Sequence, residues 1–305
     1  MSSSEPSRFT FEPPNGGPLV GYHWRAARTA QDASAGPRPP LVMVHGFGEH
    51  ARRHAGLAAA AAAAGHEVYG FDQAGHGESP GRRAVVSGYG PAVAAVGALL
   101  DRAAGAGTAL LYGHSMGGAI ALSAALAEPR RLAGLVLSAP ALIDAVKRPA
   151  WLLSLSGPIA RLAPSLPVAN LDVTRISRDP AEVERYRSDP LIHHGGVPAV
   201  TGYTITSHGE ALLSRAGSLR VPTLVVHGEA DGIIDVEGSR RLAAAAPNGV
   251  VRLHTEPGAY HEMHHDPVDS GVPQRVRELV LAYLTEVGGA GSGDVSRAGP
   301  SAAGT

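Results

Sequence analysis

The stretch Gly-His-Ser-Met-Gly at 113–117, inside LLYGHSMGGAI, has the pattern of a serine nucleophile held on a tight turn between a strand and a helix. A hydroxyl is a weak nucleophile until a base takes its proton, and the base must be oriented and supported by a carboxylate. The pattern occurs twice, because GESPG at 77–81 also reads Gly-x-Ser-x-Gly. Ser115 has an apolar run, TALLYGH, before it and a helical run, MGGAIALSAALAE, after it. Its flanking glycines give the neighbouring backbone room. The residue after the nucleophile must also offer its N–H to the oxyanion, and Met116 has one to offer. Ser79 follows polar, glycine-rich DQAGHGE and precedes Pro80, which has no N–H. Ser115 is therefore the expected nucleophile, and GESPG is read as a loop.

In this chemistry the acid and then the histidine follow the serine, each after a later strand. EADGIID follows PTLVVHG, and Asp231, just past that strand, is the expected acid. Asp235 is the local rival, with a plain reading as the N-cap of the next helix. AYHEMHHD follows VVRLHTEPG, and His261 on that loop is the expected base. His254 lies inside the strand, while His264 and His265 fall where the last helix is expected to start. The loop HGFGEHARRH, after the first parallel strand, should aim the N–H of Phe47 at the oxyanion beside that of Met116.

HEMHH at 261–265 also satisfies His-Glu-x-x-His, a zinc-protease signature that works on a continuous helix and needs a third ligand. EPGAY just before it and Pro267 just after leave room for only a short helical segment. A zinc peptidase is the rival of a different class. The serine reading needs no metal and no organic cofactor.

These residues need strand ends to carry them. Apolar runs at 41–46, 67–72, 109–114, 132–140, 222–228 and 250–255 alternate with helical stretches near 52–64, 90–104, 116–128, 237–246 and 273–286. That alternation implies right-handed βαβ crossovers and a mostly parallel, doubly wound α/β sheet. Runs 8–12 and 17–25 predict an antiparallel hairpin around PPNGG. Residues 141–216 show no clear strand and predict a helix near 199–215, and they are read as a helical cap inserted over the sheet. The expected division is a core of 8–140 and 217–287, the cap at 141–216, loose ends at 1–7 and 288–305, and a surface loop at 28–39.

The chain of 305 residues is 44 % hydrophobic and 17 % charged, a globular balance with ample core. A net charge of −1 gives no basic excess for nucleic acid. Cysteine is absent, which excludes disulfides, thiolate metal sites and a cysteine nucleophile. MSSSEPSRFT lacks the basic and apolar regions of a secretory leader, and no run of about 18 apolar residues occurs, so a cytoplasmic protein is expected.

Taken together, HGFGEH, GFDQAGHGESPG, GHSMGG, HGEADGIID and AYHEMHHD resemble the monoacylglycerol lipase and lysophospholipase-like group of serine α/β-hydrolases over most of 15–285. The resemblance implies the α/β-hydrolase fold with a helical cap. It implies hydrolysis of an ester in a lipid with one acyl chain and a small polar head, most simply monoacylglycerol. It also makes Gly-His-Gly-x-Ser a structural turn, and it puts Glu49, Arg53 and His264 at the head group. His54 stands where a tyrosine commonly follows the arginine of that loop. Cap residues Trp151, Leu152, Leu153, Ile159 and Leu162 would line an acyl tunnel, and the apolar cap leaves peripheral contact with a membrane open. A lysophospholipid, a short ester, a thioester or an N-terminal peptide bond would suit the same triad. A non-catalytic binding module on this fold is the remaining reading, and a complete triad argues against it.

Overall fold

A computed structural model describes residues 5–14, 16–27, 37–147 and 149–289, without the side chains of 150–153. Most of the surface loop expected at 28–39, the first four residues and the tail from 290 lie outside it, as do the side chains of Trp151, Leu152 and Leu153.

Strands β1 (Ser7–Phe11) and β2 (Leu19–Trp24) form the expected antiparallel hairpin, β1 one residue earlier and β2 shorter at both ends than the runs 8–12 and 17–25 suggest. Then come β3 (Leu41–Val44), α1 (Ala55–Ala63), β4 (Val68–Phe71), α2 (Gly90–Ala104), β5 (Ala109–His114), α3 (Met116–Ala127) and β6 (Leu132–Ser138). After an insert come β9 (Thr223–Gly228), α7 (Val236–Ala245), β10 (Val251–Glu256) and α8 (Val272–Gly289). The insert carries α4 (Ala150–Leu162), β7 (Pro167–Ala169), α5 (Pro180–Ser188), β8 (Val197–Pro198) and α6 (Ala199–Ser214). Gly288 and Gly289 close α8 and are not part of a loose tail.

One eight-stranded sheet has the order β1-β2-β4-β3-β5-β6-β9-β10. It is parallel from β4 to β10, and β2 meets β4 antiparallel. Side chains alternate across it with period two. Leu41 and Met43 pack in one cluster with α1 and α8, whereas Val42 and Val44 pack in the other with α2, α3 and α7. Both faces are thus covered, and for that reason the central strands are unbroken apolar runs.

The insert corrects one expectation. It is mainly helical, but β7 and β8 pair as a small antiparallel ribbon. Three and two residues long, with a proline in each, these strands carry no alternation to read. Among the described residues, no helix is long and apolar enough to cross a membrane.

Candidate active site

Ser115 sits between β5 and α3 at φ 53° and ψ −120°, a left-handed backbone that a residue with a Cβ rarely adopts. The turn is tight enough that a Cβ on Gly117 would fall 2.3 Å from the carbonyl oxygens of Val44 and His45. Glycine there lets α3 start against the end of β3. Phe47 in the loop after β3 and Met116 at the first position of α3 line the same cavity as Ser115 and His261.

Asp231 and His261 leave the adjacent strands β9 and β10. Ala230 N–H donates to the Ala259 carbonyl at 3.0 Å, tying the two loops together. Gly228 allows the close passage, since a Cβ there would meet the carbonyls of Ala259 and Tyr260 at 2.4 Å. The result is an Nδ1–H of His261 donating to Asp231 Oδ2 at 2.6 Å. Asp231 Oδ1 accepts the N–H groups of Ile233 and Ile234 at 2.8 and 3.0 Å, which fixes the carboxylate plane.

Burial pushes the Asp231 carboxyl up, but the charge of His261 and the hydrogen bonds from His227 and His261 outweigh it and hold it well below the usual carboxylate range. Burial pushes His261 down, and the Asp231 charge and hydrogen bond reverse this to a net rise. A serine on a strained turn, a buried imidazole and an ionised carboxylate behind it suit proton abstraction from a hydroxyl.

Two histidines in this constellation were not singled out by sequence reasoning. His227, at the end of β9, places Nε2 3.2 Å from both Asp231 Oδ2 and the Ile234 carbonyl, so that nitrogen carries the hydrogen. Its only sequence signal is its place four residues before the acid. His114 packs its ring 4.8 Å from that of His261, and burial followed by the His261 charge pushes it down to about 3, so it is neutral.

Both decoys resolve locally. Ser79 Oγ donates to the Asp72 carbonyl at 2.6 Å and accepts the Val20 N–H at 2.9 Å, so its hydroxyl is structural. Asp235 caps α7 by accepting the Glu237 N–H. HEMHH forms no continuous helix: Met263–His265 is a single 3-10 turn, and α8 starts only at Val272 after Gly271 at φ 70°. His264 and His265 therefore do not begin the last helix as expected. The two zinc-motif histidines point their Nδ1 atoms at Asp231 and Glu262, and Glu262 holds Arg53. Oxygen and nitrogen atoms of Glu182, Glu262 and His265 lie within 4.8 Å of one another, but the Arg53 guanidinium already fills that cluster.

The expected head-group residues separate. Glu49 lines the cavity; Arg53 and His264 do not. Arg53 is buried among Glu49, Glu182 and Glu262 with its guanidinium 4.9 Å from the Tyr186 ring centroid, which corrects its expected role as a substrate contact. His264 is half-buried with its ring 6.1 Å from that of Tyr112, and burial and the nearby His54 push it well down. Of the expected acyl contacts, Ile159 lines the cavity, while the Trp151 and Leu152 side chains lie outside the described residues.

The cavity encloses about 290 Å³ and is mostly apolar, with Ile159, Val168, Tyr203 and Ile205 from the insert facing Ser115 and His261 from the core. Residues 35–268 match the family model described as serine aminopeptidase, S33. The chain is 36 % identical to a monoacylglycerol lipase of Mycolicibacterium smegmatis over 81 % of its own length and 90 % of that protein's. It is 32 % identical to the human monoglyceride lipase over 75 % and 77 %. The crystal structure of a monoacylglycerol lipase from Paleococcus ferrophilus superposes with a TM-score of 0.78 at 30 % identity, covering 88 % of this chain and 99 % of that one.

Proposed function

We propose a reaction for a chain that belongs to the serine aminopeptidase S33 family, in its monoacylglycerol lipase group of α/β-hydrolases: it is a serine ester hydrolase that cleaves monoacylglycerol to glycerol and fatty acid. The observation that carries this reading is the shared cavity, where Ser115 and His261 meet an apolar channel and Asp231 holds His261 from behind.

His261, oriented by Asp231, takes the proton of Ser115. Ser115 Oγ attacks the ester carbonyl, and the N–H groups of Phe47 and Met116 hold the oxyanion, worth roughly 3–4 kcal/mol per donor. The tetrahedral intermediate collapses, and His261 returns its proton to the leaving alcohol. Water, deprotonated by the same histidine, then attacks the acyl carbonyl, and His261 passes that proton to Ser115 Oγ as the acid leaves. Asp231 remains ionised throughout.

The insert is read as the cap that receives the acyl chain. It also carries most of the exposed large apolar side chains among the described residues, including Leu155, Leu162 at 85 % exposure, Leu166 and Val168. That supports peripheral contact with a lipid surface from which a single-chain substrate passes into the cavity. Leu162→Asp should then weaken sedimentation with vesicles while leaving turnover of a dissolved short-chain ester unchanged.

The test of the reaction is fatty-acid release from 1-monoacylglycerols of graded chain length by wild type and Ser115→Ala, with and without a chelator. A loss of at least about a thousandfold in the mutant, with no effect of the chelator, supports the triad. Activity that survives Ser115→Ala and dies with the chelator sinks it.

A further inference from the structure

β9 carries a histidine where its apolar run leaves the core. Side chains alternate along a strand, so His227 shares with Val225 the face covered by α7, where Val225, Ile234 and Leu242 pack in one cluster. The ring is fully buried, which costs free energy unless its nitrogens are bonded, and both are. Nδ1 lies 2.7 Å from Ser239 Oγ on α7. Nε2 lies 3.2 Å from the Ile234 carbonyl and 3.2 Å from Asp231 Oδ2. Both neighbours of Nε2 are acceptors, so Nε2 carries the hydrogen and Ser239 donates its O–H to Nδ1.

Two imidazoles therefore meet at one oxygen. Oδ2 of Asp231 accepts the Nδ1–H of His261 at 2.6 Å, with the Nε2–H of His227 beside it. The backbone N–H groups of Ile233 and Ile234 hold only the other oxygen, Oδ1. Ile234 is thus bonded on both sides, its N–H to Asp231 and its carbonyl to His227, so the ring also closes the turn that carries the acid.

We propose that His227 is a positioning residue of the triad: its Nε2–H, shared between the Ile234 carbonyl and Asp231 Oδ2, fixes the oxygen that His261 binds and tempers that oxygen's hold on the base. The proposal rests on the triad reading above. Two effects of removing the ring have the same sign. Oδ2 would keep its whole acceptor strength for His261, and the positive end of an N–H dipole would leave the neighbourhood of the imidazolium. Both favour protonated His261, whose pKa the Asp231 charge already raises against burial. Ser239 adds to the effect, because a ring that accepts an O–H at Nδ1 is polarised into a stronger donor at Nε2. His261 also faces Glu262 on its own loop, Glu49 on the loop after β3 and the His114 ring on β5. Substitutions at His227 leave those groups in place and act through Asp231.

The experiment titrates His261 by the NMR shift of its ring in protein carrying isotope-labelled histidine, its signal assigned by its loss in His261→Gln. The pH profile of kcat/KM on a monoacylglycerol is measured beside it. His227→Phe should raise the midpoint by at least about half a pH unit, so that kcat/KM falls at least about threefold further on the acidic limb than on the plateau. His227→Gln, which can place an N–H near the position of Nε2, should return the midpoint toward the wild-type value. Ser239→Ala keeps the ring and should move the midpoint the same way by less. It decides the matter if the ring variants do not fold, since an unmoved midpoint there goes against the proposal. A midpoint unmoved in His227→Phe, or moved as far in His227→Gln, overturns it. His227 would then only pack α7 onto the loop, a role that lowers stability in urea and leaves the titration alone. If no monoacylglycerol is cut, the ester reading fails by itself, and the NMR midpoint still decides whether His227 tunes the pair.

Discussion

His261 Nδ1 stands 2.6 Å from Asp231 Oδ2, across two loops that leave the neighbouring parallel strands β9 and β10. The pair is buried, and the carboxylate raises the pKa of His261 against the opposing effect of burial. As the proposed base, His261 works in its neutral form. The kcat/KM should therefore climb with pH through the raised value, an acidic limb above the ordinary histidine value of about 6.5. Asp231→Asn removes the charge that raises it, so the limb should move to lower pH while kcat falls about ten-thousandfold. A pH profile of the variant checks both, and a limb that stays in place means another carboxylate serves His261.

Ser79 should be dispensable for turnover and costly for stability. Its Oγ joins the Val20 N–H to the Asp72 carbonyl, and Asp72 in turn accepts the N–H groups of Ala51 and Glu78 at 2.8 Å. Ser79→Ala leaves a buried N–H of β2 without its acceptor, at a cost of about 1–3 kcal/mol. Urea denaturation should show that loss, and kcat per folded molecule should equal the wild-type value. A fall in kcat as large as that of Ser115→Ala would give GESPG a catalytic role after all.

Much of this arrangement was legible in the sequence because it is local. The apolar runs before Ser115 and Asp231 are strands buried on both faces, and the turn after each carries a residue of the proposed triad. The polar run DQAGHGE before Ser79 and Pro80 after it disqualified Ser79 as a nucleophile. Pairings far apart in the chain were hidden. The contacts of Arg53 with Glu182 and Glu262 span 129 and 209 residues, so nothing near HARRH showed that its arginine is already occupied. His227 was overlooked because a histidine inside an apolar strand looks like core. The β7–β8 ribbon was invisible because its proline-bearing strands are shorter than any period.

Arg53 holds three acidic side chains at one buried point. Arg53→Met would keep its bulk and remove its charge, leaving Glu49, Glu182 and Glu262 to repel one another, at about 3–5 kcal/mol. In the wild type the Glu262 pKa is pushed down to about 2, so its pairing contributes stability that is present above the ordinary glutamate value of about 4.3 and fades as pH falls toward the lower one. Without Arg53 these carboxyl groups should titrate higher, and acid should relieve their repulsion. The deficit measured by denaturation should therefore be larger at pH 8 than at pH 5. A deficit independent of pH would mean that packing against Tyr186, not charge, is what Arg53 contributes.

Ile159, half-buried on α4, lines the cavity with Ser156, Val168 and Tyr203. If the acyl chain runs along this wall, a larger side chain there should shorten the chain the cavity accepts without touching the nucleophile. Ile159→Trp should lower kcat/KM for a hexadecanoyl ester at least about tenfold and change that for a butanoyl ester less than about twofold. The ratio between the two chain lengths is the readout, because partial unfolding or a disturbed triad would depress both alike. An equal loss on both esters would place the acyl chain elsewhere in the cavity, while a loss confined to the long chain would fix α4 as the wall that measures it.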